Sequence, residues 1–153
     1  MYMYKNPRKI FGYIFPAMFV ACAMYILCGY LMTMVPKTVP ITKGIEIARI
    51  ILLVMAIGSI CAGVVWLRNT ITEEKLKQKE SKQAAMQLVL NNCIISLALI
   101  ESVPIYGVFW LAITFQFKHL PYASGLAMLI MLLLRPQMIA GFDKAEQLFP
   151  MDK

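Results

Sequence analysis

The chain has 153 residues, of which 60% are hydrophobic and only 15% are charged, and its mean hydropathy is +0.69. Soluble domains are roughly 45–50% apolar and about 25% charged, so this composition excludes an ordinary soluble domain and indicates an integral membrane protein. The net charge of +7 comes largely from residues that flank apolar segments. Such a distribution is typical of membrane proteins, so we predict no nucleic-acid partner.

The first three apolar segments are each long enough to cross a hydrocarbon core of about 30 Å, which takes about 20 helical residues. In chain order, they are predicted at about 10–35, 47–67 and 84–117. The third exceeds the minimum length, which implies a tilted helix or one that projects from the bilayer.

The fourth apolar segment, at about 120–142, has the weakest pattern. Arg135 and Pro136 interrupt it, so it crosses the membrane only if Arg135 extends its charged end to the interface, which is our interpretation of that residue. With this segment included, we predict an all-α membrane protein with four transmembrane helices, forming one membrane domain over 1–153.

Basic residues predict the orientation, because flanks rich in Lys and Arg stay on the cytoplasmic side. Most of the 15 Lys and Arg residues lie in the N-terminal segment, the loop between spans two and three, or the C-terminal segment: Lys5, Arg8, Lys9, Arg68, Lys75, Lys77, Lys79, Lys82, Arg135, Lys144 and Lys153. We therefore predict a multi-pass protein with both termini and loop 68–83 on the cytoplasmic or equivalent side.

The connections are of two kinds. Segments 36–44 and 118–125 contain Pro and Gly, which predicts turns on the outer side. Loop 68–83 has neither, and its Glu, Lys and Gln favour helix, with Glu73 and Lys77 in a favourable i,i+4 order. Spans two and three should therefore continue as helices and turn within this loop. The loop is either a docking surface for a soluble partner or a solvated charged hairpin.

Glu101 is the one acid in the apolar run "IISLALIESVPIYGVFW" at 94–110. It lies seventeen residues after Ala84, or about 26 Å along a helix, and therefore near mid-membrane. An ionised carboxylate there costs at least ~2.5–3.5 kcal/mol, so Glu101 should rest protonated. Such an acid either carries an ion or donates an interhelical hydrogen bond worth about 1–2 kcal/mol or less.

The neighbours of Glu101 predict a polar site around it. Ser102 supplies a hydroxyl, and Pro104 has no N–H, so the Ile100 backbone carbonyl loses its usual partner at the level of the acid. Tyr106 is about 140° round an ideal helix from Glu101, but its phenol is long and proline distorts the helix. We expect these groups to hold the proton of the acid.

"LALIESVPIYGVFWLAITF" resembles the carboxyl-bearing helix of the proteolipid subunit, subunit c, of rotary ATP synthases and ATPases, in which Tyr-Gly follows the acid by five residues. "AIGSICAGVVWLRNTI" at 56–71 is similar to the first helix of that family, and the likeness covers about 50–116. It implies that Glu101 binds and releases the transported ion, that Ser102 is a hydroxyl ligand and that Tyr106 locks the site. It also implies a ring of hairpins and an arginine on a stator subunit.

Four small residues in the second span, Gly58, Ser59, Ala62 and Gly63, form two overlapping small-xxx-small pairs that permit close helix packing. The glutamine that sodium-binding members of the family carry on their first helix is missing from 47–67. The resemblance therefore implies protons rather than sodium as the transported ion, and no cofactor.

Two hypotheses follow. The first is a proton-translocating proteolipid-like subunit that acts in an oligomer or a larger rotary complex, with no catalytic chemistry of its own. The second is a structural or accessory subunit in which Glu101 forms a buried interhelical hydrogen bond or contacts a partner. Both predict membrane lipids, further copies of the chain or other membrane subunits as partners.

Three other polar residues have simple interpretations. Glu46 and Arg49 stand at i,i+3 near the outer end of the second span and are predicted to form a surface pair. His119 lies in the predicted outer loop, with no second His or acid near it in sequence, and is predicted to be solvated rather than a metal ligand.

Overall fold

A computed structural model describes residues 6–34 and 42–149. Over these residues the chain forms five helices and no strand: α1 (Pro7–Thr33), α2 (Lys43–Thr70), α3 (Glu73–Lys77), α4 (Lys82–Thr114) and α5 (His119–Leu148). All except α3 are long and apolar enough to cross a membrane. The predicted all-α fold with four candidate spans is confirmed.

Local sequence explains where α1 and α4 begin and end. The Asn6 side chain accepts a hydrogen bond from the backbone N–H of Lys9 at 3.1 Å, and Ser81 accepts one from Ala84 at 3.2 Å. These caps satisfy N–H groups that have no partner within the helix. At its other end, α4 stops at Thr114 because Phe115 adopts a left-handed conformation with φ of 55°, so the third span ends slightly earlier than predicted.

The loop between α2 and α4 is partly helical, as predicted, but it contains a separate short helix rather than only the continued ends of the two spans. α2 runs to Thr70, and the short α3 carries the expected ion pair, with Glu73 Oε1 2.6 Å from Lys77 Nζ. The turn follows α3 and leads into α4 at Lys82. Leu76 is fully buried and fixes α3 against the ends of α4 and α5.

The prediction of an outer turn at 118–125 is wrong. The turn occupies 115–118, and α5 begins at His119. Pro121 therefore lies in the first turn of α5, where a missing backbone N–H removes no intrahelical bond. Of the other predicted turn, at 36–44, residues 36–41 lie outside the described residues, and Lys43 and Gly44 already belong to α2.

Arg135 and Pro136 interrupt the apolar pattern of the sequence but not the helix, since α5 is continuous from His119 to Leu148, as the predicted fourth span requires. Pro136 lies inside the helix and is exposed. Proline is tolerated within transmembrane helices when neighbouring helices support the backbone on either side, and α5 packs along α4 and α1.

Helix α4 is the centre of the bundle. It packs against α1, α2 and α5, and α1 also packs against α5. Many residues of α4 are buried, whereas Gly63 and Leu67 are the buried residues of α2. α2 is therefore a peripheral helix, and most of its apolar surface faces outward.

Candidate functional site

Glu101 lies on α4, nineteen residues after its first residue, Lys82, and thirteen before its last, Thr114. At 1.5 Å per residue these separations are about 28 Å and about 20 Å. The acid is partly buried. It therefore lies well inside a helix that is long and apolar enough to cross a membrane.

Glu101 lies near α1. Its closest titratable neighbours there are Cys22, which is fully buried, and Tyr25, which is partly buried. Within the described residues the carboxyl group makes no hydrogen bond or ion pair. The bundle therefore holds a half-buried acid beside α1 whose polar atoms have no partner within the described part of the same chain.

The predicted polar site around Glu101 does not form as expected. Ser102 Oγ donates to the backbone carbonyl of Leu99 at 2.6 Å, and the Tyr106 hydroxyl shares a hydrogen bond with Ser59 Oγ at 3.2 Å. The reason is angular: Tyr106 is about 140° round α4 from Glu101, and α2 covers the face that carries Tyr106. The Ile100 carbonyl remains the one predicted ligand at the level of the acid, and Pro104 cannot donate to it.

A row of hydrogen bonds joins α2 to α4, which we call the α2–α4 seam. Trp66 Nε1 donates to Asn92 Oδ1 at 3.1 Å, Ser96 Oγ donates to the Gly63 carbonyl at 2.8 Å, and Ser59 pairs with Tyr106. Sequence reasoning missed Asn92 and Ser96. Their i,i+4 spacing on α4, matched by Ser59 and Gly63 on α2, is the signal that could have found them.

The two small-residue pairs of α2 face different environments. A Cβ added at Gly63 would lie 3.0 Å from the Ser96 carbonyl oxygen, whereas one added at Gly58 would meet nothing within 4 Å. Ser59 and Gly63 therefore bring α2 close to α4 inside the chain. Gly58 and Ala62 lie on the exposed outer face of α2.

Arg135 stays away from Glu101. Its guanidinium carbon is 5.3 Å from the centre of the Phe15 ring, and together with Arg8 it lines a cavity of about 410 Å³ between α1 and α5. Arg8 itself is paired with Asp143 at 2.9 Å. A cation over an aromatic face is attracted to the ring, so Arg135 does not supply a counter-charge for the acid.

The outer end of the bundle differs from two predictions. Glu46 and Arg49 form no ion pair, and Arg49 instead lines a cavity between helices. His119 is partly buried at the first position of α5, and its ring meets that of Trp110 edge-on at 5.9 Å. Glu46 and Arg49 are both exposed, as predicted, but they are not paired with each other, and His119 is partly buried rather than solvated.

No family model, curated protein or solved structure matches this chain. The likeness to the proteolipid subunit therefore stays a prediction from the sequence around Glu101 and at 56–71 alone.

Proposed function

We propose that this chain is a proton-translocating subunit of a membrane complex, in which Glu101 takes up and releases the proton. The observation that carries the proposal is an acid well inside a helix that is long and apolar enough to cross a membrane, with no hydrogen-bond or ion-pair partner among the described residues. A buried acid with a purely structural role normally has a hydrogen-bond partner in its own bundle. Glu101 instead keeps a carboxyl group that is free to exchange a proton.

The proton would be held while the acid faces apolar surroundings and released when compensating charge or water reaches it. Ionisation without such compensation costs several kcal/mol in the membrane interior, which prevents leakage of the ion. Arg135 is held at Phe15, so the counter-charge would come from another chain. Tyr25 replaces Tyr106 as the phenol on the Glu101 side of the bundle.

Assembly with other chains is part of the proposal. The α2–α4 hairpin resembles the hairpin of the proteolipid subunit, and the outer face of α2 carries exposed Gly58 and Ala62, where a neighbouring helix can approach closely. Helices α1 and α5 cover α4 on other sides. A multimer would therefore join copies through α2 rather than through α4.

A second candidate is an accessory subunit in which Glu101 contacts a fixed partner chain and nothing is transported. It is favoured by the hydrogen bonds of Ser102 and Tyr106, which go to Leu99 and Ser59 rather than to Glu101. In the proteolipid family both groups are expected to hold the ion. The two candidates differ in whether the acid is reached from lipid and exchanges its proton.

Labelling with a hydrophobic carbodiimide across a pH series tests the proposal, because the reagent modifies protonated carboxyls that are accessible from lipid. We expect mass spectrometry to find selective modification of Glu101 at neutral pH, its decline at high pH and its loss in Glu101→Gln. Glu46 and Glu146, near the helix ends, serve as internal controls. A folded protein in its native membrane with Glu101 unmodified at every pH would contradict the proposal and favour the accessory subunit.

A further inference from the structure

A cavity of about 220 Å³ lies between α2 and α5, at the end of the bundle that carries α3. We call it the α2–α5 groove. Its floor is closely packed, because a Cβ added at Gly141 of α5 would lie 2.9 Å from Cγ2 of Ile71, the residue that ends α2. Leu67, which is buried, also lines it. The groove is therefore a depression with a fixed base, and it is separate from Glu101, which does not line it.

Two cations line the α2–α5 groove. Arg68 lies in the last turn of α2 and Lys144 lies on α5, and neither forms a hydrogen bond or an ion pair with a described residue. No Asp or Glu of the described ranges lines the groove. Glu73 of the nearby α3 already has a partner, since its carboxylate lies 2.6 Å from Lys77 Nζ. Two cations that share one cavity without a carboxylate create a positive potential, which attracts an anion.

Gln137 is a third polar group of the groove. It lies seven residues before Lys144 on the same face of α5, which is about 10 Å farther into the span. Its side chain is exposed and forms no hydrogen bond with a residue of the described ranges. An amide that faces only acyl chains is unfavourable, because hydrocarbon offers it no hydrogen-bond partner. The groove therefore presents polar groups at two depths, with the cations near the helix ends and the amide deeper.

This arrangement fits an anionic phospholipid better than a small anion. A free phosphate ion would use the two cations alone. A phospholipid also brings ester oxygens, which lie nearer the hydrocarbon and can reach the amide, and acyl chains that cover the apolar wall formed by Leu67, Ile71 and Ala140. The groove opens on the side that the basic residues predict to be cytoplasmic, and the cytoplasmic leaflet carries the anionic lipids.

We propose that the α2–α5 groove binds the head group of an anionic phospholipid of the inner leaflet. The phosphate lies between Arg68 and Lys144, and the Gln137 amide donates a hydrogen bond to an ester oxygen nearer the acyl chains. Basic pockets between transmembrane helices on the cytoplasmic side bind acidic head groups in this manner. The proposal is independent of proton exchange by Glu101.

The test is native mass spectrometry of the delipidated full chain, titrated with phosphatidylglycerol or with phosphatidylcholine of the same acyl chains. We expect phosphatidylglycerol to bind more tightly by about fivefold for each cation, as a Lys or Arg near an anionic membrane surface provides. Arg68→Gln and Lys144→Gln should each remove one such factor, and the double variant should remove the preference. Lys9→Gln is the matched control, because Lys9 is exposed at the same end of the bundle and lies outside the groove.

Gln137→Leu tests the deeper contact. Both lipids carry the ester oxygens that the amide would bind, so this variant should weaken both lipids by a similar factor and leave the preference for phosphatidylglycerol unchanged. An unchanged affinity for both lipids in Gln137→Leu would contradict the placement of the head group in the groove.

Three other outcomes would overturn the proposal. They are equal binding of the two lipids to the parent protein, a loss in Lys9→Gln as large as in Arg68→Gln, and displacement of phosphatidylglycerol by inorganic phosphate at similar concentration, which would indicate a free-anion site. Arg68→Lys and Lys144→Arg keep the charges and should retain the preference for the acidic lipid, which separates loss of binding from loss of folding.

Discussion

Replacing Gly63 by alanine tests the close approach of α2 to α4. The added Cβ would lie 3.0 Å from the backbone oxygen of Ser96 and 3.1 Å from Cγ1 of Ile100. The Ile100 side chain can shift, but the Ser96 carbonyl belongs to the buried central helix. The two helices must therefore separate by a few tenths of an ångström, which also strains the hydrogen bond from Ser96 Oγ to the Gly63 carbonyl.

The magnitude follows from two opposing effects. Overpacking a well-packed interface costs about 1–3 kcal/mol, and exchanging glycine for alanine within a helix gains about 0.8–1 kcal/mol. Gly58→Ala makes the same exchange on the same helix, where nothing lies within 4 Å of the new Cβ. Gly58→Ala should therefore be neutral or stabilising, and Gly63→Ala should be less stable than Gly58→Ala by about 1–3 kcal/mol.

The assay is reversible unfolding of the purified protein in mixed micelles with increasing SDS, followed by circular dichroism. The difference in the free energy of unfolding between the two variants isolates the packing effect, because the gain in helix propensity cancels. A difference below about 0.5 kcal/mol, the usual limit of additivity, would refute the α2–α4 seam as described.

Two further predictions concern the inner loop and the orientation. The ion pair with Lys77 lowers the pKa of Glu73, so the pair supports α3 above the ordinary Glu pKa and is lost as pH falls through the lowered value. An NMR titration should find that Glu73 titrates at lower pH than in Lys77→Gln, and equal titration would contradict the pair. Lys79→Cys should react with an impermeant maleimide only after the cells are opened, whereas Lys43→Cys should react in intact cells. The labelling of each variant is compared with that of the parent protein, which has cysteines of its own. If Lys79→Cys reacts in intact cells and Lys43→Cys does not, the predicted topology is inverted.

The four transmembrane helices were predictable because apolar length is a property of the sequence alone. The error at the start of the fourth span came from proline. The Pro and Gly of 118–125 predict a turn, but Pro121 lies in the first turn of α5, and Pro136 is accommodated inside the same helix. Helix position and the presence of neighbouring helices decide whether proline breaks a helix, and neither was visible in the local pattern.

The candidate site was only partly predictable for a geometric reason. Counting residues gives the position of Glu101 along its helix and the angle between Glu101 and Tyr106. Neither quantity predicts which neighbouring helix covers each face of α4. Helix α1 packs near the side of α4 that carries Glu101. Helix α2 packs against the side that carries Tyr106, whose hydroxyl group forms a hydrogen bond with Ser59.

The most direct measurement is infrared difference spectroscopy of the protein in lipid bilayers, comparing wild type with Glu101→Gln across a pH series. Our account predicts a carbonyl band from a protonated carboxyl at neutral pH that is absent in Glu101→Gln and disappears reversibly at high pH. Glu146→Gln, altered near the inner end of α5, should keep the band. If the wild-type protein shows no such band at neutral pH, or a band that high pH does not remove, Glu101 is not a proton-exchanging acid and the central proposal is wrong.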